Sequence, residues 1–109
     1  MRPQTLNKEI IMKALIIGLV LLTSPAYADE ALLKKHACIA CHNVNVKLVG
    51  PAYKDVAKKY RGQKDADVYL ASKIRNGGKG VWGPVPMMPN TRVTEQEAKQ
   101  LANYILNLK

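Results

Sequence analysis

Hydrophobic and polar residues follow a helical period in four stretches of this chain, 30–40, 52–60, 65–76 and 94–108. In the last three, apolar side chains recur every three or four residues, which places them along one helix face. These apolar positions are Tyr53, Val56, Ala57 and Tyr60; Val68, Leu70, Ala71 and Ile74; and Ala98, Leu101, Tyr104, Ile105 and Leu108. The first stretch is helix-favouring in composition, with Ala31, Leu32 and Leu33 as apolar residues. The pattern predicts an all-α fold of about four helices with no convincing strand.

Local signals mark the ends of these helices. Pro51 stands at or just before the first turn of the second helix, and Asp65 is a candidate cap for the third. Asn76-Gly77-Gly78 provides the stop of the third helix, and Thr94 with Glu97 fits a capping box. Residues 77–91 contain four Gly and three Pro, a composition too irregular for a helix or a strand. A loop this long in a small domain usually carries function.

The first 28 residues have the features of an export signal. Its basic residues are Arg2, Lys8 and Lys13. An apolar run at 14–22 is shorter than the roughly 20 residues of a membrane span, and Ala-Tyr-Ala at 26–28 fits a cleavage site. We expect removal of 1–28 and a single domain at 29–109. Retention as an uncleaved amphipathic anchor is the alternative, and Met12 is a second candidate for the translation start.

The composition of the chain limits its size, its core and its partners. The chain has 109 residues, two Cys, no Phe, one Trp and a formal net charge of +9, which indicates one small domain with a small core. Much of the charge comes from Lys47, Lys54, Lys58, Lys59, Arg61, Lys64, Lys79, Arg92 and Lys99. These residues form either a solvated face or a docking surface for an acidic partner. Export argues against nucleic acid as the partner.

The cysteines and one histidine form a Cys-x-x-Cys-His motif at Cys38, Cys41 and His42. Thiols three positions apart lie nearly on one face of a helical turn, so both can add to the vinyl groups of one haem while the imidazole reaches its iron. A redox dithiol would be expected in a βαβ pattern, a zinc site would need two further ligands, and a disulfide would leave His42 unexplained. His36 is expected to be a helix-surface residue.

Further stretches follow the haem motif in order: 49–57 reads VGPAYKDVA, 80–87 reads GVWGPVPM, and a terminal helix starts at Thr94. Together they resemble a small class I bacterial cytochrome c of the cytochrome c-551/c-552 type, over essentially all of 29–109. The resemblance implies a small cytochrome c fold wrapped around one covalently attached haem c.

The resemblance also implies roles for individual residues. His42 would be the proximal iron ligand, with its second ring nitrogen donating to the carbonyl of Pro51, and Gly50 would let the backbone turn close to the ring. Met87 would be the sixth ligand. Met88 is a complication, since many relatives have Pro there; it is either a competing thioether or an apolar cover for the haem edge.

Three further residues take expected roles near the haem from the same resemblance. Trp82 would donate its indole N–H to a haem propionate, and Lys73 would lie near a propionate, with Arg75 as a neighbour able to substitute. Asn90 would place its amide near the Met sulfur.

The function implied is that of a soluble periplasmic monohaem electron carrier, and not an enzyme. Its partners would be respiratory reductase or oxidase complexes, nitrite reductases among them, with acidic docking surfaces. The alternative function is a peroxidase-like haem enzyme or gas sensor, which would need a labile sixth ligand. Met87 in a Pro-rich loop argues against that alternative.

Overall fold

The computed structural model describes residues 25–109 and contains four α-helices in that part of the chain. They are α1 (Pro25–Lys35), α2 (Tyr53–Tyr60), α3 (Ala66–Asn76) and α4 (Glu95–Leu106), with a 3₁₀ turn at Cys38–Ala40. A two-stranded antiparallel hairpin, β1 (Gly78–Gly80) and β2 (Gly83–Met87), follows α3. The predicted all-α class is confirmed as a mostly helical fold, whereas the expectation of no strand in 77–91 was wrong.

Helix α4 is the element around which the others pack, because it contacts α1, α2 and α3. Its buried residues Ala98, Leu101, Ala102 and Ile105 recur at helical spacing and meet one apolar core. The other buried members of this core are Leu33, Tyr53, Val56, Tyr60, Ala66, Leu70, Ile74 and Val93. The predicted apolar face of 52–60 is confirmed, since Tyr53, Val56, Ala57 and Tyr60 are all buried.

The capping box predicted at the start of α4 is present with both of its hydrogen bonds. The Glu97 backbone N–H donates to Thr94 Oγ1 at 3.1 Å, and the Thr94 backbone N–H donates to Glu97 Oε1 at 3.2 Å. Two donors that the helix itself cannot satisfy are thereby paired, which fixes where α4 begins.

Three local predictions about the other helices were wrong. The first helix ends at Lys35 rather than continuing to residue 40, because Ala37 adopts a left-handed conformation with φ 57°. Asp65 stands at the N-cap of α3 but is left-handed and makes no side-chain cap hydrogen bond. Val68 is 60% exposed, because the buried stripe of α3 is Ala66, Leu70 and Ile74.

The predicted signal peptide lies almost wholly outside the described residues, which begin at Pro25. Its predicted cleavage point after Ala28 falls within α1, and removal of 1–28 stays a prediction. Across residues 25–109, no helix combines the length and apolar character that a membrane crossing requires.

Candidate functional site

Cys38 and Cys41 are presented on the 3₁₀ turn that follows the left-handed residue Ala37. The backbone N–H groups of Cys41 and His42 both donate to the carbonyl of Cys38, at 3.2 and 3.0 Å, so the turn leads directly into the histidine. Both cysteines are free thiols, with Cys41 exposed and Cys38 partly buried. Burial raises the pKa of the Cys38 thiol above its ordinary value.

The His42 ring is fixed by a backbone carbonyl. His42 Nδ1 lies 2.8 Å from the carbonyl oxygen of Pro51. Because a carbonyl can only accept, this contact requires the proton on Nδ1 and leaves Nε2 with a free lone pair. An imidazole in this tautomer, oriented by a second partner, is arranged as protein metal ligands usually are.

Gly50 lets the chain pass close to the same ring. A Cβ at Gly50 would come within 2.4 Å of His42 Cε1, which no real side chain tolerates. The Gly50 backbone N–H donates to the carbonyl of Cys41 at 2.8 Å, so the close approach is itself hydrogen-bonded. The predicted proximity of Gly50 and Pro51 to His42 is therefore present in the fold.

Met87 ends β2, and its backbone packs against the end of α3. Met87 pairs with Gly78 across the hairpin, and a Cβ at Gly77 would lie 2.2 Å from the Met87 carbonyl oxygen. Met87 is partly buried, whereas Met88 is 71% exposed. Sequence reasoning treated Gly77 only as a helix stop; the structure adds that it makes room for the backbone of the predicted ligand.

Asn90 and Arg75 tie the chain after Met87 to α3. The Asn90 backbone N–H donates to the Arg75 carbonyl at 3.1 Å, and its side-chain Nδ2 donates to the Ile74 carbonyl at 2.9 Å. Arg75 Nε in turn donates to the Val93 carbonyl at 3.1 Å. These bonds anchor the loop, a role that the sequence did not reveal. The predicted role of Asn90 near the Met sulfur stays a prediction.

Trp82 and Lys73 lie beside an aromatic cluster. The Trp82 ring, 40% exposed, meets Tyr60 edge-on at 6.5 Å between centroids. Lys59 Nζ lies 5.5 Å from the Trp82 centroid, and Lys73 Nζ lies 5.4 Å from that of Tyr69, both within cation–π range. The contact with Lys59 was not anticipated from the sequence.

The expectation that His36 is a helix-surface residue was wrong. Its side chain is only 7% exposed, and Nε2 lies 3.3 Å from Glu97 Oε1, although the two atoms do not meet hydrogen-bond geometry. Lys35 Nζ also contacts Glu97, at 3.2 Å. The backbone hydrogen bond from Thr94, followed by the Lys35 and His36 side chains, lowers the pKa of Glu97 to about 2. The burial of His36 comes from α4, which no local pattern at residue 36 could indicate.

The exposed apolar side chains bear on whether the segments around His42 and Met87 suit contact with a haem. Within the described residues, eight of the eleven exposed large apolar side chains fall in 39–49 and 81–88. They are Ile39, Val46, Leu48, Val49, Val81, Trp82, Val85 and Met88. Apolar side chains left exposed in two short segments, one of which carries the thiols and the imidazole, suit contact with an apolar ligand. Two free thiols, an imidazole with its proton on Nδ1 and these exposed apolar residues fit a covalently attached porphyrin.

Known proteins that are similar to this chain are c-type cytochromes. The family model for cytochrome c matches residues 30–109. Cytochrome c-552 of Hydrogenobacter thermophilus is 56% identical over 97 residues, covering 89% of this chain and 98% of that protein. Cytochrome c-551 of Pseudomonas aeruginosa is 46% identical over 104 residues, covering 94% and 99%. The crystal structure of Nitrosomonas europaea cytochrome c552 is similar with a TM-score of 0.72 and 55% identity, covering 73% of this chain and 99% of that one.

Proposed function

Because this chain belongs to the cytochrome c family, we propose that it is a soluble periplasmic carrier of single electrons between respiratory complexes, with its haem iron held between His42 and Met87. Membership establishes that the cofactor is a covalently attached haem c and that the chain is a monohaem electron carrier with redox partner proteins. The proposal adds the two iron ligands, the residues around the cofactor and the compartment.

The contact between His42 Nδ1 and the Pro51 carbonyl is the main evidence that His42 is an iron ligand. It holds the ring in the tautomer that has its proton on Nδ1 and its lone pair on Nε2. Donation to the carbonyl also makes the imidazole a stronger electron donor, since it increases negative charge on the ring. Gly50 preserves this arrangement because no side chain competes for the space beside the ring.

The two cysteines have a separate task, which is to fix the cofactor in place. Cys38 and Cys41 each supply a thiol on one tight turn, three residues apart, directly before His42. Thioether bonds at both positions would hold the porphyrin beside the imidazole of His42. When bound, the haem iron supplies the one-electron change.

Met87 is the better of the two candidate thioethers for the opposite side. Its carbonyl packs against Gly77 and its residue is partly buried, whereas Met88 is largely exposed. The Asn90 hydrogen bonds to α3 hold the loop shortly after Met87, which limits how far the side chain can move. A thioether is a soft, neutral ligand that favours the reduced iron and so raises the potential.

Trp82 and Lys73 are proposed to face the haem propionates. Each carries a donor suited to a carboxylate, an indole N–H or an ammonium, and each lies at the edge of the aromatic cluster of α2 and α3. A propionate would be costly to bury without such donors. Asn90 is proposed to contribute more weakly, through its position beside the loop that carries Met87.

The charge of the chain suggests the kind of redox partner. Residues 29–109 carry 14 basic and 7 acidic side chains, a formal net charge of +7, which favours encounter with acidic surfaces and speeds association at low salt. We propose reductase and oxidase complexes with acidic docking surfaces as donors and acceptors, and a small interface that is short-lived. Transfer rates that fall as ionic strength rises would support this proposal, and salt-independent rates would refute it.

Absorption spectroscopy of the Met87→Ala and Met88→Ala variants tests the ligation. The wild-type protein is expected to be low-spin and six-coordinate, with the weak charge-transfer band near the red end of the oxidised spectrum that marks a thioether ligand. Met87→Ala should abolish this band, while Met88→Ala, the matched control one residue away, should keep it. The opposite result would assign the ligand to Met88. A wild-type protein that binds carbon monoxide readily would favour the enzyme or sensor alternative.

A further inference from the structure

Tyr53 packs almost flat on the His42 ring. The two ring centroids are 5.0 Å apart, and the ring planes differ by 20°. This is the offset-stacked arrangement that aromatic rings favour. Tyr53 is 5% exposed, so the contact lies inside the protein and solvent does not compete for it.

The position of Tyr53 is tied to the segment that follows His42. Its backbone N–H donates to the carbonyl of Asn43 at 2.9 Å, and the next residue, Lys54, donates to Val44 at 3.1 Å. The start of α2 is therefore bound to the chain directly after the histidine. These bonds keep the backbone of Tyr53 beside the segment that follows His42, and the burial of the ring restricts its side-chain torsions.

The same side chain also lies near the first attachment cysteine. Burial raises the pKa of the Tyr53 phenol well above its usual range, and the nearby Cys38 thiol raises it further. Tyr53 thus adjoins both Cys38 and His42.

The other contacts of His42 still allow its ring to rotate, and Tyr53 restricts this rotation. The Pro51 carbonyl holds Nδ1, and Gly50 leaves space at Cε1 that only a glycine can provide. A single hydrogen bond at Nδ1 still permits the ring to tilt and rotate about that contact. A second ring lying nearly parallel opposes this rotation, since turning the imidazole would drive its edge into the phenol face.

We propose that Tyr53 is a positioning residue whose ring sets the rotational orientation of the His42 imidazole, and through it the direction of the imidazole plane above the haem. This inference rests on the proposed ligation by His42. The plane of an imidazole bound to a haem iron contributes, together with the second ligand, to the splitting of the iron dπ orbitals. Turning that plane would therefore change the g values of the oxidised protein, a readout that is separate from thermal stability.

Tyr60 provides a matched control on the same helix. It is 8% exposed, close to the 5% of Tyr53, and it closes α2 where Tyr53 opens it. Its ring contacts are Tyr69, at 5.1 Å, and Trp82. Replacing either tyrosine by Leu removes a buried aromatic ring from the same core, but only one of the two replacements removes the ring that stacks on His42.

The test compares the oxidised holoproteins of Tyr53→Leu, Tyr53→Phe and Tyr60→Leu with the wild type. Electron paramagnetic resonance gives the g values, proton NMR gives the shifts of the haem methyl groups, and thermal unfolding gives stability. We expect Tyr53→Leu to change the g values and the spread of methyl shifts. Tyr53→Phe keeps the ring and should keep the wild-type spectra. Tyr60→Leu should lower the unfolding temperature to a similar extent as Tyr53→Leu, with wild-type g values; because Tyr60 contacts Trp82, the g values and not the methyl shifts are compared for this control.

The proposal would be overturned by unchanged g values in Tyr53→Leu, or by equal changes of the g values in Tyr53→Leu and Tyr60→Leu. A change in Tyr53→Phe as large as in Tyr53→Leu would also overturn it, since the ring is retained. If Tyr53→Leu yields no holoprotein, Tyr53→Met, whose unbranched and flexible side chain adapts to the same space without a ring, carries the same expectations. A wild-type protein with no low-spin signal would refute the ligation by His42 and Met87 instead, a failure distinct from that of Tyr53.

Discussion

The four helices and the two loops that carry the candidate ligands are held together in different ways. Helices α1 to α4 form a helical frame that contains most of the buried apolar side chains of the described residues. The ligand loops, 38–51 and 78–92, contain no buried residue at all. They are held by backbone hydrogen bonds and close glycine contacts, and they expose most of the large apolar side chains found at the surface.

This difference shows where each part obtains its stability. The frame buries apolar area between its own helices, which is the main favourable contribution to folding. The loops cannot do so, and their apolar residues suit contact with a porphyrin that links the two loops. Because the core is so small, we expect the chain to need such a covalent link in order to fold stably.

The largest expected effect comes from removing the cofactor. In Cys38→Ala/Cys41→Ala no thioether can form, so the exported protein should be colourless and lose its cooperative thermal transition. Circular dichroism should then report a largely unfolded chain. A cooperative transition with native-like helix content would show instead that the helical frame is stable without the loops being bridged.

A smaller effect, confined to one loop, is expected from Gly77→Ala. Gly77 has φ 71° and ψ −166°, a region reached almost only by glycine, and the new Cβ would lie 2.2 Å from the Met87 carbonyl oxygen. Backbone strain of about 3 kcal/mol should destabilise the protein and displace Met87. Chemical unfolding and the charge-transfer band measure the two effects.

Gly62→Ala is the matched control for this change. Gly62 also has a positive φ, 82°, but its new Cβ would meet nothing within 4 Å. This substitution should lower the free energy of unfolding by about 1 to 2 kcal/mol and leave the charge-transfer band unchanged. If Gly77→Ala kept the wild-type charge-transfer band, the contact of Gly77 with the Met87 backbone would not matter for ligation.

The smallest expected effect is a pH dependence of the unfolding temperature that comes from Glu97 in the helical frame. The pKa of Glu97 is lowered from 4.5 to about 2, first by the Thr94 backbone hydrogen bond and then by Lys35 and His36. A carboxylate with a depressed folded-state pKa stabilises the fold above about pH 4.5, and this stability is lost as pH falls towards 2. Glu97→Gln should therefore flatten the fall in unfolding temperature between pH 4.5 and 2.

Glu95→Gln is the control, because the Glu95 side chain is 88% exposed in the same first turn of α4. It should leave the acid dependence of the unfolding temperature close to that of the wild type. Equal flattening in both variants would mean that the acid sensitivity reflects net charge and not the junction of Glu97 with Lys35 and His36.

Sequence reasoning was most successful where a signal is local. The buried face of α2 follows from apolar residues at helical spacing, and the start of α4 follows from a capping box whose partners are three residues apart. The stop at Gly77 was also predictable, since a helix end with a positive φ favours glycine. The stripe assigned to α3 was wrong at Val68, because residues two apart, such as Val68 and Leu70, cannot share a helix face.

The hairpin shows a different limit of sequence reasoning. Residues 77–91 are rich in Gly and Pro, which argues against regular strands, yet β1 and β2 pair through Gly78 with Met87 and Gly80 with Gly83. Three of the glycines from Gly77 to Gly83 adopt positive φ, which permits the tight turn. Strand pairing depends on which backbone groups meet, and composition alone does not report that.

The sequence by itself determined the helical period, the capping box and the Cys-x-x-Cys-His spacing, because each depends on residues close together in the chain. The tertiary structure alone decided which side chains from distant segments meet. It buried His36 against Glu97, laid Tyr53 on the His42 ring and set Gly77 against the backbone of Met87. These contacts depend on how α4, α2 and the hairpin pack in three dimensions, which no local pattern encodes.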